Sequence, residues 1–228
     1  MANRPVYLPG VKGKALVTPV NVEFKWIAGM AATQKQKSIR SLHEAAAQRN
    51  IARILEISSK SENPLGVKLS AFNLHIVTPK GMKTTVENAF QASKVFRNGG
   101  PYLDLLEKTP REAKKDPRLN TSGDLIGFRL EGVDWRTRPL TAFYDWIYLS
   151  ALRQSPTLAE QLLGFDGFTD IEFNPDRSLN CQAASAALFV ALSRRGELET
   201  ATSSRDAFLE RLVSSTVTSR PVQSRFLD

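Results

Sequence analysis

Thr84-Thr85-Val86-Glu87-Asn88-Ala89-Phe90-Gln91-Ala92-Ser93-Lys94-Val95-Phe96 follows a Pro79-Lys80-Gly81 turn, and the fold hangs on how it is read. The spacing predicts a helix from near Thr84 to the stop signal Asn98-Gly99-Gly100-Pro101. On such a helix Glu87, Gln91 and Lys94 share one face beside Phe90, because positions i, i+4 and i+7 align. A carboxylate, an amide and an amine on one stripe make either a reactive site or a solvated face. Thr84-x-x-Glu87 is also a capping-box pattern, in which Glu87 folds back onto the helix's own N-terminal amide. The local pattern leaves these readings open.

Working outward, residues 1–20 are rich in Pro and Gly and read as an extended arm with short strand segments around Lys14 to Val17. Val22 to Trp26 alternates apolar with charged residues, as a half-buried strand does. Thr33 to Arg49 has the apolar spacing of a helix, and its other face carries Lys35, Lys37, Arg40 and Arg49. That basic face is either solvated or able to track a phosphate backbone. Strands are expected over Ile51 to Ile57 and Leu74 to Val77, with a loop over Ser58 to Leu65. Beyond the central stretch come a helical turn at Tyr102 to Glu107 and a charged helix from Pro110 to Lys115. A strand or hairpin is expected within Gly123 to Val133, then helices over Pro139 to Leu152 and Pro156 to Gly164. A strand over Phe168 to Phe173 and a turn at Asn174 to Ser178 precede an Ala-rich helix from Cys181 to Arg195, which Asn180 should cap. Gly196 ends it, leaving a short helix over Arg205 to Leu212 and a Ser/Thr-rich tail expected to be mobile.

The 228 residues, 42% hydrophobic and 24% charged, suit one substantial core. The reading is α+β: a single compact, mainly helical domain with a few short strands. It comprises an N-terminal arm (1–20), the domain proper (21–196), and a C-terminal short helix with its tail (197–228). No apolar run approaches a membrane span and Met1 to Gly10 lacks an apolar signal core, so no membrane partner and a cytoplasmic location are expected. One cysteine and two histidines argue against a soft-ligand zinc site, and no metal or cofactor is expected. There is no phosphate-binding Gly-rich loop, no nucleophile elbow and no local triad signature. The net charge of +8 favours a polyanionic partner such as nucleic acid or nucleotide phosphate. His43 reads as structural, and Trp135 and Phe72 as either stacking platforms or core residues.

Val86 to Phe96 resembles the Glu-x-x-Phe-Gln-x-x-Lys-x-Phe helix of the NADAR superfamily. Gly66-Val67-Lys68-Leu69-Ser70-Ala71-Phe72 is similar to that family's Gly-x-Leu-Ser-Asn-Phe segment, with Ala71 in place of Asn. Trp135 followed by the Phe143 to Leu152 helix, and Asn180 before the last core helix, match its order from about Ile54 to Arg195. The family's Trp-Gly element is replaced by Asn174-Pro175-Asp176-Arg177-Ser178. The start Gln34 to Ile39, the run Glu56-Ile57-Ser58-Ser59-Lys60-Ser61 and the segment Phe168 to Asn174 resemble the antitoxins paired with DarT-type DNA ADP-ribosyltransferase toxins. Phage-encoded relatives share the module.

The resemblance implies an N-glycosidase that removes ADP-ribose from guanine in DNA, with ADP-ribosylated DNA and a DarT-type toxin as partners. It implies Glu87 as general acid/base, with Lys94 first and Lys60 second as the lysine that forms a Schiff base on ring-opened ribose. Each lysine is equally readable as a phosphate-binding cation. Ser70, Phe72, Phe90, Gln91, Trp135, Asp170 and Asn180 are then ligand contacts or pocket walls, and Arg111 and Lys114 meet the pyrophosphate. In this context Glu87 in a first helical turn also lies where backbone amides can meet phosphate or ribose. Two alternatives stand beside this reading: a non-catalytic antitoxin that binds DNA or ADP-ribose, and an N-glycosidase for a small riboflavin-pathway-like intermediate.

Overall fold

The computed structural model describes residues 1–175 and 178–215. Strands β1 (Ala2–Pro9) and β2 (Val17–Phe24) precede helix α1 (Ala32–Ala47) and strand β3 (Ile54–Glu56). Helix α2 (Pro64–Lys68), strands β4 (His75–Val77) and β5 (Lys83–Thr85), helix α3 (Val86–Ala92) and strand β6 (Lys94–Phe96) follow. A 3-10 turn over Leu103–Glu107 leads to α4 (Pro110–Lys114), α5 (Arg118–Thr121), β7 (Leu125–Leu130) and β8 (Val133–Trp135). Then come α6 (Ala142–Arg153), α7 (Pro156–Leu162), β9 (Gly167–Thr169), α8 (Gln182–Arg194), α9 (Leu198–Ala201) and α10 (Arg205–Ser214).

The main sheet has the order β2-β1-β9-β3, so it joins distant parts of the chain. β1 pairs antiparallel with β2 along its whole length, while β3 and β9 run parallel with Glu56 opposite Thr169. The first residues are therefore a full strand inside this sheet, where an arm with strand segments was expected. The sheet divides two apolar clusters. The smaller lies under α1 and holds Val6, Val22, Phe24, Ile39 and Leu42; the larger takes in Leu55, Phe168, α3, α6 and α8. Every residue from Ala183 to Leu192 is buried, as the Ala-rich composition suggested. Helix exceeds strand, but "mainly helical" describes this architecture only loosely.

The central stretch departs most from its reading. The helix ends at Ala92, with Ser93 as C-cap, and Lys94–Phe96 is a strand. Lys94 pairs with Phe128 and Val95 with Gly127, while Arg129 donates its N–H to the Ser93 carbonyl. Sheet pairing of a β-branched, aromatic run thus overrides helical continuation. The cap shifts too. Thr84 lies in β5 and donates its hydroxyl to the Leu106 carbonyl, and Thr85 is the N-cap, accepting from the Asn88 N–H. Glu87 makes no cap. The capping box is at Thr109-x-x-Glu112, opening α4. Asn180 does not cap α8 either, because Cys181 is the N-cap and bears no capping side-chain bond. The Ser/Thr-rich tail and the middle of the Asn174 to Ser178 turn lie outside the described residues.

Phe168 is fully buried where β9 meets the larger core. Phe168→Ala is expected to lower the unfolding free energy by about 3–5 kcal/mol in denaturant titration, while Val213→Ala, at a 73% exposed position, changes it by less than about 0.5 kcal/mol.

Candidate active site

Residues read as a site from sequence converge around α3, though not by the route expected. Glu87 and Gln91 lie one helical turn apart and are both buried, and Gln91 Nε2 donates to Glu87 Oε1 at 2.8 Å. Lys94 arrives from β6, half-buried, with its ammonium 4.9 Å from the centroid of the Phe90 ring. Burial lowers its pKa to about 8, with the Glu87 carboxylate pulling it up and the Lys114 charge pushing it down. Lys114, exposed on α4, sits over the half-buried Phe72 ring at 5.2 Å. Two lysine–aromatic pairs, Lys94–Phe90 and Lys114–Phe72, therefore flank a buried carboxylate. Beneath them Tyr144 meets Phe90 edge-on at 5.2 Å, and burial first, then Glu87, holds its phenol protonated well above the ordinary range.

The backbone around this centre is fully engaged. In the first turn of α3, Val86 N–H donates to the Leu74 carbonyl and Glu87 N–H to the Ala71 carbonyl. With Asn88 N–H on Thr85 Oγ1, no amide of that turn remains for phosphate or ribose. This corrects the expectation of an anion cradle at the helix start. Ala71 N–H in turn donates to Gln182 Oε1, and Gln182 Nε2 donates to the Ile57 carbonyl and to Asp170 Oδ2. One amide thus ties the Ser70–Phe72 segment to β3 and to the chain after β9.

Behind Gln182 lies a second polar group that sequence reading missed. Parallel register sets Glu56 opposite Thr169, and side chains on directly paired residues share a face. Thr169 Oγ1 donates to Glu56 Oε2 at 2.7 Å and Ile171 N–H to Glu56 Oε1 at 2.8 Å. With the Thr169 hydroxyl spent on Glu56, its oxygen accepts from His43 Nε2 at 2.9 Å. Burial raises the Glu56 and Asp170 carboxyls, and the charge of Glu56 raises Asp170 further. A cavity of about 270 Å³ lined by Arg40, His43, Glu56, Ser61 and Glu62 opens on the α1 side. The visible signals were a charged residue ending an apolar strand and a Gln beside Cys181, and neither named a partner.

The other expected residues fall in different places. Ser70 is buried, its hydroxyl donating to the Val67 carbonyl and accepting from Asn73. Trp135 packs between Phe143 and Trp146 in the aromatic core. Phe90 itself joins that core through Phe128 and Phe143. Arg111 is exposed on α4, and Lys60 is half-buried in the turn after β3. Asp170 is held by Gln182 and by the N–H groups of Glu172 and Phe173. Asn180 is half-buried, with Oδ1 buried and unpartnered. Gly66 has a packing reason: a Cβ there would collide with the Glu56 carbonyl and Ser61 Oγ. No group of three or more His, Cys, Asp or Glu side chains among the described residues could hold a metal ion. No helix among them is long and apolar enough to cross a membrane.

His43 gives this framework a measurable signature, since burial lowers its pKa from 6.5 to about 4. The folded value lies below the unfolded one, so its contribution is complete above pH 6.5 and is lost as the pH falls toward 4. Over that window the unfolding free energy is expected to drop by up to about 3 kcal/mol more than in His43→Gln. Paired denaturation curves check this, because subtraction removes the opposing titration of Glu56 and Asp170.

Among known proteins, a family model described as DarT1-associated NADAR antitoxin matches residues 2–221. No curated protein matches the chain.

Proposed function

This chain belongs to the DarT1-associated NADAR antitoxin family, and on that premise we propose that it is an N-glycosidase removing ADP-ribose from guanine bases in DNA. In that role it reverses the action of a DarT-type toxin. The observation that carries the reading is the meeting of Lys94, half-buried over the Phe90 ring, with the buried Glu87–Gln91 pair, where burial lowers the lysine's pKa to about 8. The lowered pKa eases release of the ammonium proton, which leaves the neutral amine that attack on carbon requires. An ordinary surface lysine holds its proton more firmly.

The proposed reaction uses both groups. The Lys94 ammonium gives its proton by way of the Glu87 carboxylate to the ribose ring oxygen as the C1–O bond breaks, leaving Lys94 neutral and C1 joined to the guanine nitrogen as an iminium. The neutral Lys94 amine adds to C1. A proton then passes from the lysine nitrogen to the guanine nitrogen, the C1–guanine bond breaks, and unmodified guanine departs from an iminium between C1 and Lys94. Water, deprotonated by Glu87, adds to C1, and collapse releases ADP-ribose with C1 as an aldehyde and regenerates the amine. Phe72 and Phe90 wall the site, and Lys114 and Arg111 supply exposed positive charge for the pyrophosphate or the DNA backbone. Asp170, through Gln182, positions the Ser70–Phe72 segment.

Mass spectrometry of an ADP-ribosylated oligonucleotide tests the reading directly. Restored guanine with released ADP-ribose is expected. Protection without release supports a binding-only antitoxin, and faster turnover of small N-glycosides than of modified DNA supports a small-molecule substrate; either overturns the proposal. Glu87→Gln is expected to lower kcat by roughly 10²–10⁴-fold, and full activity in that variant removes Glu87 from the mechanism. Activity should fall as pH rises through about 8, following loss of the Lys94 proton that the first step spends, and Lys94→Arg should abolish it. Borohydride reduction during turnover should attach ADP-ribose to the peptide containing Lys94; an adduct on Lys60 moves the nucleophile there.

A further inference from the structure

Few buried side-chain polar atoms among the described residues lack a hydrogen-bond partner, and two of them belong to residues of the candidate site: Gln91 Oε1 and Asn180 Oδ1. Gln91 is the sharper case, being only 6% exposed. Its amide cannot simply be turned over. Nε2 donates to Glu87 Oε1, and the opposite orientation would press Oε1 against a carboxylate oxygen. The free acceptor is therefore held in register by the same bond that positions Glu87. Leaving a buried acceptor unpaired carries a desolvation penalty, so this one is suited to a donor brought by a bound molecule.

Among the described residues no donor bonds to Gln91 Oε1. Asn88 Nδ2 donates to the Leu105 and Lys108 carbonyls, Ser93 Oγ donates to the Ala89 carbonyl, and the Lys94 ammonium lies over the Phe90 ring. We propose that Gln91 Oε1 accepts a hydrogen bond from an N–H or O–H group carried by the substrate next to the bond that is cleaved. Gln91 is then a specificity residue as well as a support for Glu87. The inference rests on the reading of Glu87 and Lys94 as the reaction centre. Two substrate groups offer the required chemistry: a ring N–H of the guanine and the 2-hydroxyl of the ribose attached to it. Both lie within a few bonds of C1.

Substrate deletion separates this role from a purely structural one. Kinetics are measured on ADP-ribosylated guanine oligonucleotide, on its analogue lacking the 2-hydroxyl of the attached ribose, and on its analogue methylated at the guanine ring N–H. Wild-type protein is expected to lose roughly 10- to 100-fold in kcat/KM on one analogue, which identifies the donor. Gln91→Leu is expected to be slower on the parent substrate and to show no further loss on that analogue. Loss of the Nε2–Glu87 bond slows both substrates alike and cancels in the ratio. If wild type and Gln91→Leu discriminate equally, or if wild type turns over all three substrates alike, the inference is overturned while the glycosidase reading stands. If wild-type protein releases no ADP-ribose from the parent substrate, the glycosidase reading fails, and this inference fails with it.

Discussion

The arrangement of the site depends on a single side-chain amide. Gln182 donates to the Ile57 carbonyl and Asp170, and it accepts from the backbone of Ala71, whose own carbonyl receives the Glu87 N–H. Three segments distant in sequence are thereby held around one group. These side-chain bonds are part-buried, so the desolvation cost of breaking them adds to their weight. Gln182 is also the first residue of the buried α8, which gives the amide a rigid base.

Charge is distributed to match. Burial depresses Lys94 while Lys114 stays exposed, so one lysine suits covalent chemistry and the other suits electrostatic attraction of anions. The ion pairs among the described residues are carried largely by arginines at the surface, such as Arg53–Asp166 and the Arg118 clamp on Asp104 and Asp116. Such exposed pairs add little stability individually. They leave much of the lysine charge to confer the overall positive balance on which an encounter with a polyanion relies.

Glu56, Thr169 and His43 illustrate a polar group built by sheet register. β3 and β9 are separated by more than a hundred residues, yet parallel pairing sets Glu56 beside Thr169, and α1 closes over them with His43. A buried carboxyl is tolerable there because both its oxygens receive donors, one from Thr169 and one from the Ile171 N–H. The Glu56 carboxyl takes donors from Thr169 of β9 and from the Ile171 N–H just beyond it, and Asp170 takes one from Gln182 of α8, so the two acids of the cluster are stabilised by different elements.

Local patterns by themselves determined much of this protein. Apolar spacing located α1, α6, α7 and α8, the strand signals located β2, β3, β4 and β7, and residue motifs carried the family resemblance that the match over residues 2–221 bears out. The same motifs single out Glu87, Gln91, Lys94, Phe72, Phe90 and Lys114, which the fold gathers around α3. Tertiary structure alone decided how they meet. Thr-x-x-Glu occurs at both Thr84 and Thr109, and only the second becomes a capping box, because Thr84 is drawn into β5 while Thr109 stays at an exposed helix start. The helix expected to carry Lys94 stops at Ala92 because β7 offers Lys94–Phe96 a pairing partner. Gln182, Tyr144 and Thr169 went unread for the same reason: their partners are set by long-range register and packing, which short-range spacing does not encode.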